Sequence, residues 1–411
     1  LTLFLSGALA GPLDELWTQW RGPARTGLSK GAPWPDHLAG LTPLWHVDLD
    51  KGYPGPIVSA NRVFVAETAN GETEIVRALD RKTGKELWRA AWRGKHSVPF
   101  FAKKNGDWIR STPAFDGQFL YVGGMEEVLV ALDADTGKEI WRVDFPKQFN
   151  QPKPEFGYAS SPLLDGEFLY TQAANAVVKL RKKDGSLVWR ALENKTNIME
   201  SGAFSSPVIA TLAGKRQLVI ASRTVLAGLD LESGALLWSQ PVPTFRGMNI
   251  PTPLIFGDTV FTSIYRQDTF LFKIRREGDS FFVDQLWTNK AKGYMSTPVL
   301  IGDHVYLHLA NQRATCINIR TGETTWTTEP FGTYWSMAAR GDKILALDEG
   351  GKLLLFRANP QKFELLDSRE ISKSPTWAHI AVAGNEVFVR ALNGVTAYRW
   401  DATVNVSKAG E

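Results

Sequence analysis

A chain of 411 residues with a formal net charge of +4, its basic residues dispersed, carries no electrostatic footprint for nucleic acid. No Pro/Ser-rich linker or run of like charge divides it, so one large domain is simpler than two or three ordinary ones. The single cysteine, Cys316, excludes an intramolecular disulfide framework.

In chain order, residues 1–10 (LTLFLSGALA) are a short apolar run ending in the small-x-small pattern Ala8-Leu9-Ala10, which reads as a truncated signal peptide. The run is too short to span a bilayer. We expect cleavage near Gly11 and export to a bacterial periplasm as a soluble protein, with no cysteine at the cleavage point to carry a lipid. Residues 11–40 form a lead-in segment that contains Gln19-Trp20-Arg21-Gly22-Pro23.

Residues 41–400 are periodic. Short β-like runs end in Trp, usually after an Asp-x-x-Thr/Ser-Gly turn: ALDRKTGKELW to Trp88, ALDADTGKEIW to Trp141, GLDLESGALLW to Trp238 and CINIRTGETTW to Trp326. Weaker copies end at Trp189 and Trp287, and Trp45 closes a run without the turn. Each repeat opens with a small-residue motif, as at Thr112-Pro113, Ser161-Pro162, Ser206-Pro207, Thr252-Pro253 and Thr297-Pro298. Degenerate openings stand at Gly55-Pro56, Ser336-Met337 and Ala378-His379. Gly-Asp or Asp-Gly turns follow, where positive φ is accepted, and then strands rich in β-branched and aromatic residues.

Four short antiparallel strands per repeat and eight openings predict an all-β, eight-bladed β-propeller. The last repeat runs out at Trp400 after three strands, and its fourth is expected from Pro43 to Val47, so that an N-terminal strand closes the last blade and removes two exposed edges. Seven blades is the competing reading, because the seventh repeat has Leu365 and Leu366 where a Trp is expected. Residues 401–411 remain as a C-terminal tail.

The Ala-Leu-Asp-x-x-Thr-Gly-Lys-Glu-x-Trp repeat, followed by Ser/Thr-Pro, resembles the pyrroloquinoline-quinone-like (PQQ-like) repeat propellers. That group includes quinoprotein alcohol dehydrogenases and the B-subunit lipoprotein of the outer-membrane β-barrel assembly machine. The resemblance covers roughly residues 41 to 400 and is specific for fold more than for activity. WD-type repeats fit less well, since Trp400-Asp401 is the only Trp-Asp pair. By this resemblance the seven repeat-position Trp residues are structural wedges between blades.

In a propeller of this connectivity, ligands sit over the channel on the face carrying the blade-to-blade links. Those links are rich in aromatics, and near the channel mouth they bring Arg110, Tyr158, Glu200, Arg246, Asn249, Trp335, Trp377 and His379. An apolar floor with a few convergent polar groups suits a small-molecule ligand or a protein partner. The alternative is that these groups seal the channel.

The resemblance carries two functions. The first is a monomeric binding or scaffold module with its groove on this face. The second is a quinoprotein dehydrogenase that oxidises an alcohol or sugar with pyrroloquinoline quinone and calcium. In that case Trp335 or Trp377 would stack on the quinone, Arg110 or Arg246 would hold its carboxylates, and Glu200 with Asn249 would begin a metal site. Against the enzyme, one cysteine cannot supply the adjacent Cys-Cys pair of many such dehydrogenases, and there is no Cys-x-x-Cys-His haem motif. His304 and His308 lie roughly 13 Å apart if they share a strand, so they do not form a metal pair.

Overall fold

The computed structural model describes residues 15–193 and 202–401. The expected signal peptide, the tail beyond residue 401 and Glu200 lie outside the described residues. Those described form eight four-stranded antiparallel sheets, which settles the blade count against seven. Blade one runs from Ile57–Val58 to Glu86–Arg93, blade two from Ala114–Phe115 to Glu139–Asp144 and blade three from Leu163–Asp165 to Leu187–Ala191. Blade four runs from Val208–Leu212 to Leu236–Pro241, and blade five from Leu254–Phe256 to Ser280–Asn289. Blade six runs from Val299–Ile301 to Thr324–Thr327, and blade seven from Trp335–Arg340 to Glu364–Glu370. Blade eight holds Ala381–Ala383, Glu386–Ala391 and Gly394–Trp400, with Leu41–Asp48 as its outer strand, Leu41 opposite Trp400 and Asp48 opposite Gly394. No helix among the described residues is long and apolar enough to cross a membrane.

The sequence repeat has a local cause. In blade one the Asp80 carboxylate accepts from the amides of Lys82 and Thr83 and from the Thr83 hydroxyl, and Gly84 takes φ 72°. Asp133 with Thr136 and Asp230 with Ser233 repeat these bonds, so side-chain acceptors fix the turn before a glycine that enters the left-handed region.

The same glycine receives the tryptophan of the preceding blade. A Cβ on Gly137 would lie 2.5 Å from Trp88, one on Gly185 2.7 Å from Trp141, and one on Gly322 2.6 Å from Trp287. The indole N–H donates to a backbone carbonyl of that next blade: Trp88 to Ala134 at 3.0 Å, Trp141 to Lys182 at 2.7 Å, Trp287 to Ile319 at 2.9 Å. Trp238 departs from this. Blade five has a long hairpin from Thr269–Glu277 to Ser280–Asn289 without the short turn, and the Trp238 N–H turns back to Gln217 of its own blade at 2.5 Å.

Each outer strand also bulges immediately before the Trp. Trp88 pairs with Ala78 and Glu86 with Leu79, which leaves Leu87 unpaired and 47% exposed. In blade seven the same register places Asp367, and not Leu365 or Leu366, at the Trp position. Its carboxylate accepts the Leu38 amide at 2.6 Å. The lead-in segment fills the gap that a Trp fills elsewhere: Trp34 stacks on Trp400 at 5.7 Å and Leu38 is 1% exposed.

Around the channel, the opening hydroxyls link one blade to the next. The amide of Thr112 donates to Ser161 Oγ, Ser161 to Ser206 Oγ, Ser206 to Thr252 Oγ1 and Thr252 to Thr297 Oγ1, at 2.9 to 3.3 Å. A small hydroxyl at each opening therefore satisfies a backbone donor of its neighbour, which explains the Ser/Thr of the motif.

Candidate functional site

The lead-in segment enters the channel from the face opposite the blade-to-blade links. The strand-like bridge of Trp17 to Val58 and the bond from the Phe115 amide to the Thr18 carbonyl fix its start, and Leu28 bridges to Ala339. Between them Arg21 (φ 63°), Gly22 (φ 86°), Arg25 (φ 58°) and Gly27 (φ 78°) coil the chain tightly.

Both arginines are buried, and apart from the bond of Arg21 to the Thr26 carbonyl at 2.8 Å, their bonds go to carbonyls of the Ser/Thr-Pro openings. Arg25 donates to Pro162 at 2.7 Å, Ser161 at 3.1 Å and Pro207 at 3.1 Å, while Arg21 donates to Pro298 at 2.5 Å. Burial pulls both guanidinium pKa values down to about 9, which leaves them charged at neutral pH. Arg21 Nε and Nη1 have no partner.

Above this plug lies Trp20, with Arg21 and Arg25 at 5.6 and 5.9 Å from its ring centroid and His379 edge-on at 5.8 Å. His379 hydrogen-bonds through Nδ1 to the Ile380 carbonyl, and burial followed by the Arg21 charge pushes its pKa down to about 3, so the ring is neutral. Its Nε2 faces no partner.

Trp20 and His379 floor a cavity of about 250 Å³ that opens on the link face. Its walls are aromatic and sulfur-bearing, with Tyr53, Phe156, Phe204, Tyr334 and Trp377 among them and Met248 and Met295 between. Tyr334 stacks on Trp377 at 5.0 Å, and Tyr53 contacts both Trp377 at 6.3 Å and Trp108 at 5.5 Å. Arg110 is the cation of the wall. Its Nη2 donates to the Gly106 carbonyl at 2.7 Å, its Nε has no partner, and burial lowers its pKa from the ordinary value. The opening hydroxyls Thr112, Ser161, Ser206, Thr252 and Thr297 complete the lining, which contains no carboxylate. A larger cavity of about 360 Å³ lies between blades three and four, with Glu193, Gly202 and Arg223 in its lining.

Of the residues singled out from sequence, Arg110, Trp377 and His379 meet in this cavity, and Tyr158, Trp335, Asn249 and Arg246 do not, while Glu200 lies outside the described residues. Tyr158 is buried between blades two and three, edge-on to Phe145 and hydrogen-bonded to Thr171. Trp335 starts the inner strand of blade seven and is 1% exposed, stacked at 4.7 Å on His308. It is a core side chain, because the link before it turns one residue earlier and presents Tyr334 to the channel instead. Asn249 is tucked outward, its Nδ2 donating to the Ser222 carbonyl at 2.9 Å, although its neighbours Met248 and Ile250 line the wall. Arg246 lies over Phe245 at 5.3 Å on the outer part of its loop. Trp20, Arg21 and Arg25 escaped the sequence reading as site residues. Their signal was an aromatic-arginine pair inside a Gly/Pro-rich stretch ahead of the ring.

The donor set among the described residues does not fit pyrroloquinoline quinone with calcium. That ion needs several hard oxygen ligands, whereas the lining has no carboxylate and no group of three His, Cys, Asp or Glu suited to a metal occurs among the described residues.

Comparison with known proteins places the chain. It is 22% identical over 263 residues to an outer membrane protein assembly factor BamB of Yersinia pestis, covering 60% of this chain and 63% of that protein, so the match spans less than two thirds of the relative's length. The crystal structure of BamB from Moraxella catarrhalis superimposes with a TM-score of 0.64 at 16% identity, covering 89% of this chain and 99% of that one. A quinohemoprotein alcohol dehydrogenase from Pseudomonas putida superimposes with a TM-score of 0.66 at 12% identity, covering 97% and 82%. These two likenesses, at such low identity, describe the fold alone. The family model described as outer membrane protein assembly factor BamB matches residues 72–328, more than half of the sequence, and the chain belongs to that family of PQQ-like repeat propellers.

Proposed function

We propose that this protein is an exported scaffold of outer membrane protein assembly that holds a segment of a protein partner over its link face. The observation that carries the reading is the blind aromatic cavity. Its base is closed by Trp20 and the buried Arg21 and Arg25, so a ligand enters and leaves only from the link face. An apolar concavity with a few convergent polar groups binds side chains well, and the family resemblance supplies the biological setting. A periplasmic location, removal of residues 1–10 and a monomeric state belong to the same proposal.

Two experiments test it. A photo-crosslinking residue at position 377 should label outer membrane assembly proteins in the host, identified by mass spectrometry. The same residue at position 82, in a turn on the opposite face, should not. Equal labelling from both positions, or none from position 377, would refute the reading. The dehydrogenase reading is tested by titrating pyrroloquinoline quinone with and without calcium while following Trp fluorescence and melting. Tight calcium-dependent quenching with a raised Tm would put the enzyme ahead of the scaffold.

A further inference from the structure

Of all the blade-to-blade links, the one between blades one and two is unusual in chemistry. It carries Lys95, Lys103, Lys104 and Arg110 against one acid, Asp107. Lys95 is engaged with Glu72, and Asp107 accepts the Val98 amide at 2.9 Å, which leaves both lysines of the short 3-10 helix Phe100–Asn105 facing outward. The same turn holds Phe100 at 87% exposure and Phe101 at 48%, the first being the most exposed large apolar side chain described.

These phenylalanines are not isolated. Phe100 sits edge-on to Phe101 at 5.6 Å, Phe101 to Phe156 at 6.2 Å, and Phe156 lies 5.7 Å from Phe204. The last two rings line the cavity, so an unbroken aromatic path descends from solvent to the channel mouth. At its lower end stands Arg110, with an unpartnered Nε and no lining carboxylate to neutralise it, and beneath the floor lie the charges of Arg21 and Arg25, bonded only to carbonyls. Glu126 and Glu155 are further acids near this rim, the first ion-paired with Lys153, while Lys103, Lys104 and Arg110 make no ion pair among the described residues. A large exposed apolar group rimmed by polar residues marks an interaction site, and low-dielectric walls of one sign concentrate ligands of the other.

Resting on the scaffold reading, we infer that the occupant of this path is an extended acidic peptide segment that pairs a carboxylate with an adjacent aromatic side chain. The aromatic residue packs along Phe101, Phe156 and Phe204, and the carboxylate meets Arg110 at the mouth. The exposed pair Phe100 and Phe101 gathers the segment at the rim. The exposed Phe pair with its flanking lysines would also suit a membrane surface, but the continuation of the aromatic path into a cavity that ends at Arg110 favours a peptide.

The test uses the whole chain and an acetylated, amidated hexapeptide of Gly and Ser with a central Asp-Phe, together with its Asn-Phe and Asp-Ala forms. Binding is followed by Trp fluorescence and calorimetry. The Asp-Phe peptide should bind at least about tenfold more tightly than either control, a difference of about 1.4 kcal/mol, and binding should weaken with added salt. Phe100→Ser with Phe101→Ser, and separately Arg110→Gln, should each reduce affinity at least about tenfold. The Phe pair is exposed, so its double variant should melt as the parent does and keeps the test decisive if Arg110→Gln fails to fold. Equal binding of the three peptides, or none by any, overturns the inference. So does binding of the parent to phosphatidylglycerol vesicles that the double Phe variant loses, when the peptides are ignored. Crosslinks from position 377 that persist in any of these cases would leave the scaffold reading standing.

Discussion

The indole of Trp45, on the strand that closes the ring, lies against Gly84 of blade one, where a Cβ would stand 2.8 Å from the ring, and its N–H reaches the Arg81 carbonyl at 2.9 Å. This contact seals the seam between the last blade and the first.

Gly84→Ala should therefore cost about 2–4 kcal/mol, combining a left-handed φ of 72° with overpacking against the indole. Gly257→Ala, at φ 55° in a turn with nothing within 4 Å, should cost only about 1 kcal/mol. Urea unfolding of the two variants measures the difference, and equal losses would mean that the indole contact contributes nothing.

Arg25→Met should destabilise the protein by about 3 kcal/mol, because the carbonyls of Ser161, Pro162 and Pro207 lose a charged donor in the interior. Calorimetry gives the magnitude. Limited proteolysis should find new cleavage in residues 15–31 of the variant before the blades themselves are cut.

Trp335 and Trp377 should behave differently although both stand on neighbouring link-to-strand junctions. Trp335→Ala removes a side chain that is 1% exposed and should cost about 3–5 kcal/mol. Trp377→Ala, half-buried in the cavity wall, should leave the Tm near that of the parent while it weakens binding of the Asp-Phe peptide at the mouth. A Tm loss for Trp377→Ala as large as for Trp335→Ala would make it a core residue too.

The contribution of Glu74 and Glu127 to stability should fall as pH rises from about 4.5 to about 7, against a gain over part of the same window from His379 and His308, whose buried rings have folded pKa values of about 3 and about 4, below the ordinary 6.5. The Glu74 carboxyl is buried between blades one and two, accepting from Trp92 Nε1 and the Met125 amide, both at 2.6 Å, and Glu127 accepts the Ala174 amide of blade three at 2.8 Å. Burial pushes each pKa up from 4.5 to about 7, so the folded state holds protons that the unfolded state has released across this window. The contribution of these two carboxyls then weakens with rising pH, by on the order of 3 kcal/mol for each group once above the folded pKa. Glu74→Gln with Glu127→Gln should make the slope of Tm against pH between about 5 and 7 more positive than in the parent, because the His379 and His308 contribution is then unopposed by these two carboxyls. An unchanged slope would place the titration elsewhere.

The blade number and the closing strand were legible because the repeat is a contact pattern: Asp80, Thr83, Gly84 and Trp45 meet in space, and their spacing recurs wherever the contact recurs. Blade seven shows where this reading fails. Its wedge comes from Trp34 and Leu38 of the lead-in segment, so no residue near Leu365 announces it. The site was legible in part. Links on one face had to supply its walls, and Arg110, His379 and Trp377 follow from that. Whether a link residue points inward depends on a single backbone turn, and Tyr334 faces the cavity while Trp335 beside it faces the core. Trp20, Arg21 and Arg25 were hidden for another reason. A plug makes its contacts with backbone carbonyls, which leave no complementary pattern of side chains in the rest of the chain.

The pairing of Leu41–Asp48 with Gly394–Trp400 sets Leu41 opposite Trp400, 359 positions away in the chain. During synthesis the first of these strands emerges early and has no neighbour to complete until the last strand follows it. The intervening blades can each form from local hairpins, yet the seam joining blade eight to blade one stays open throughout. Nascent chains are thus nearly complete arcs with two bare strand edges, and protection from edge-to-edge pairing arrives in one late step, when the two ends latch.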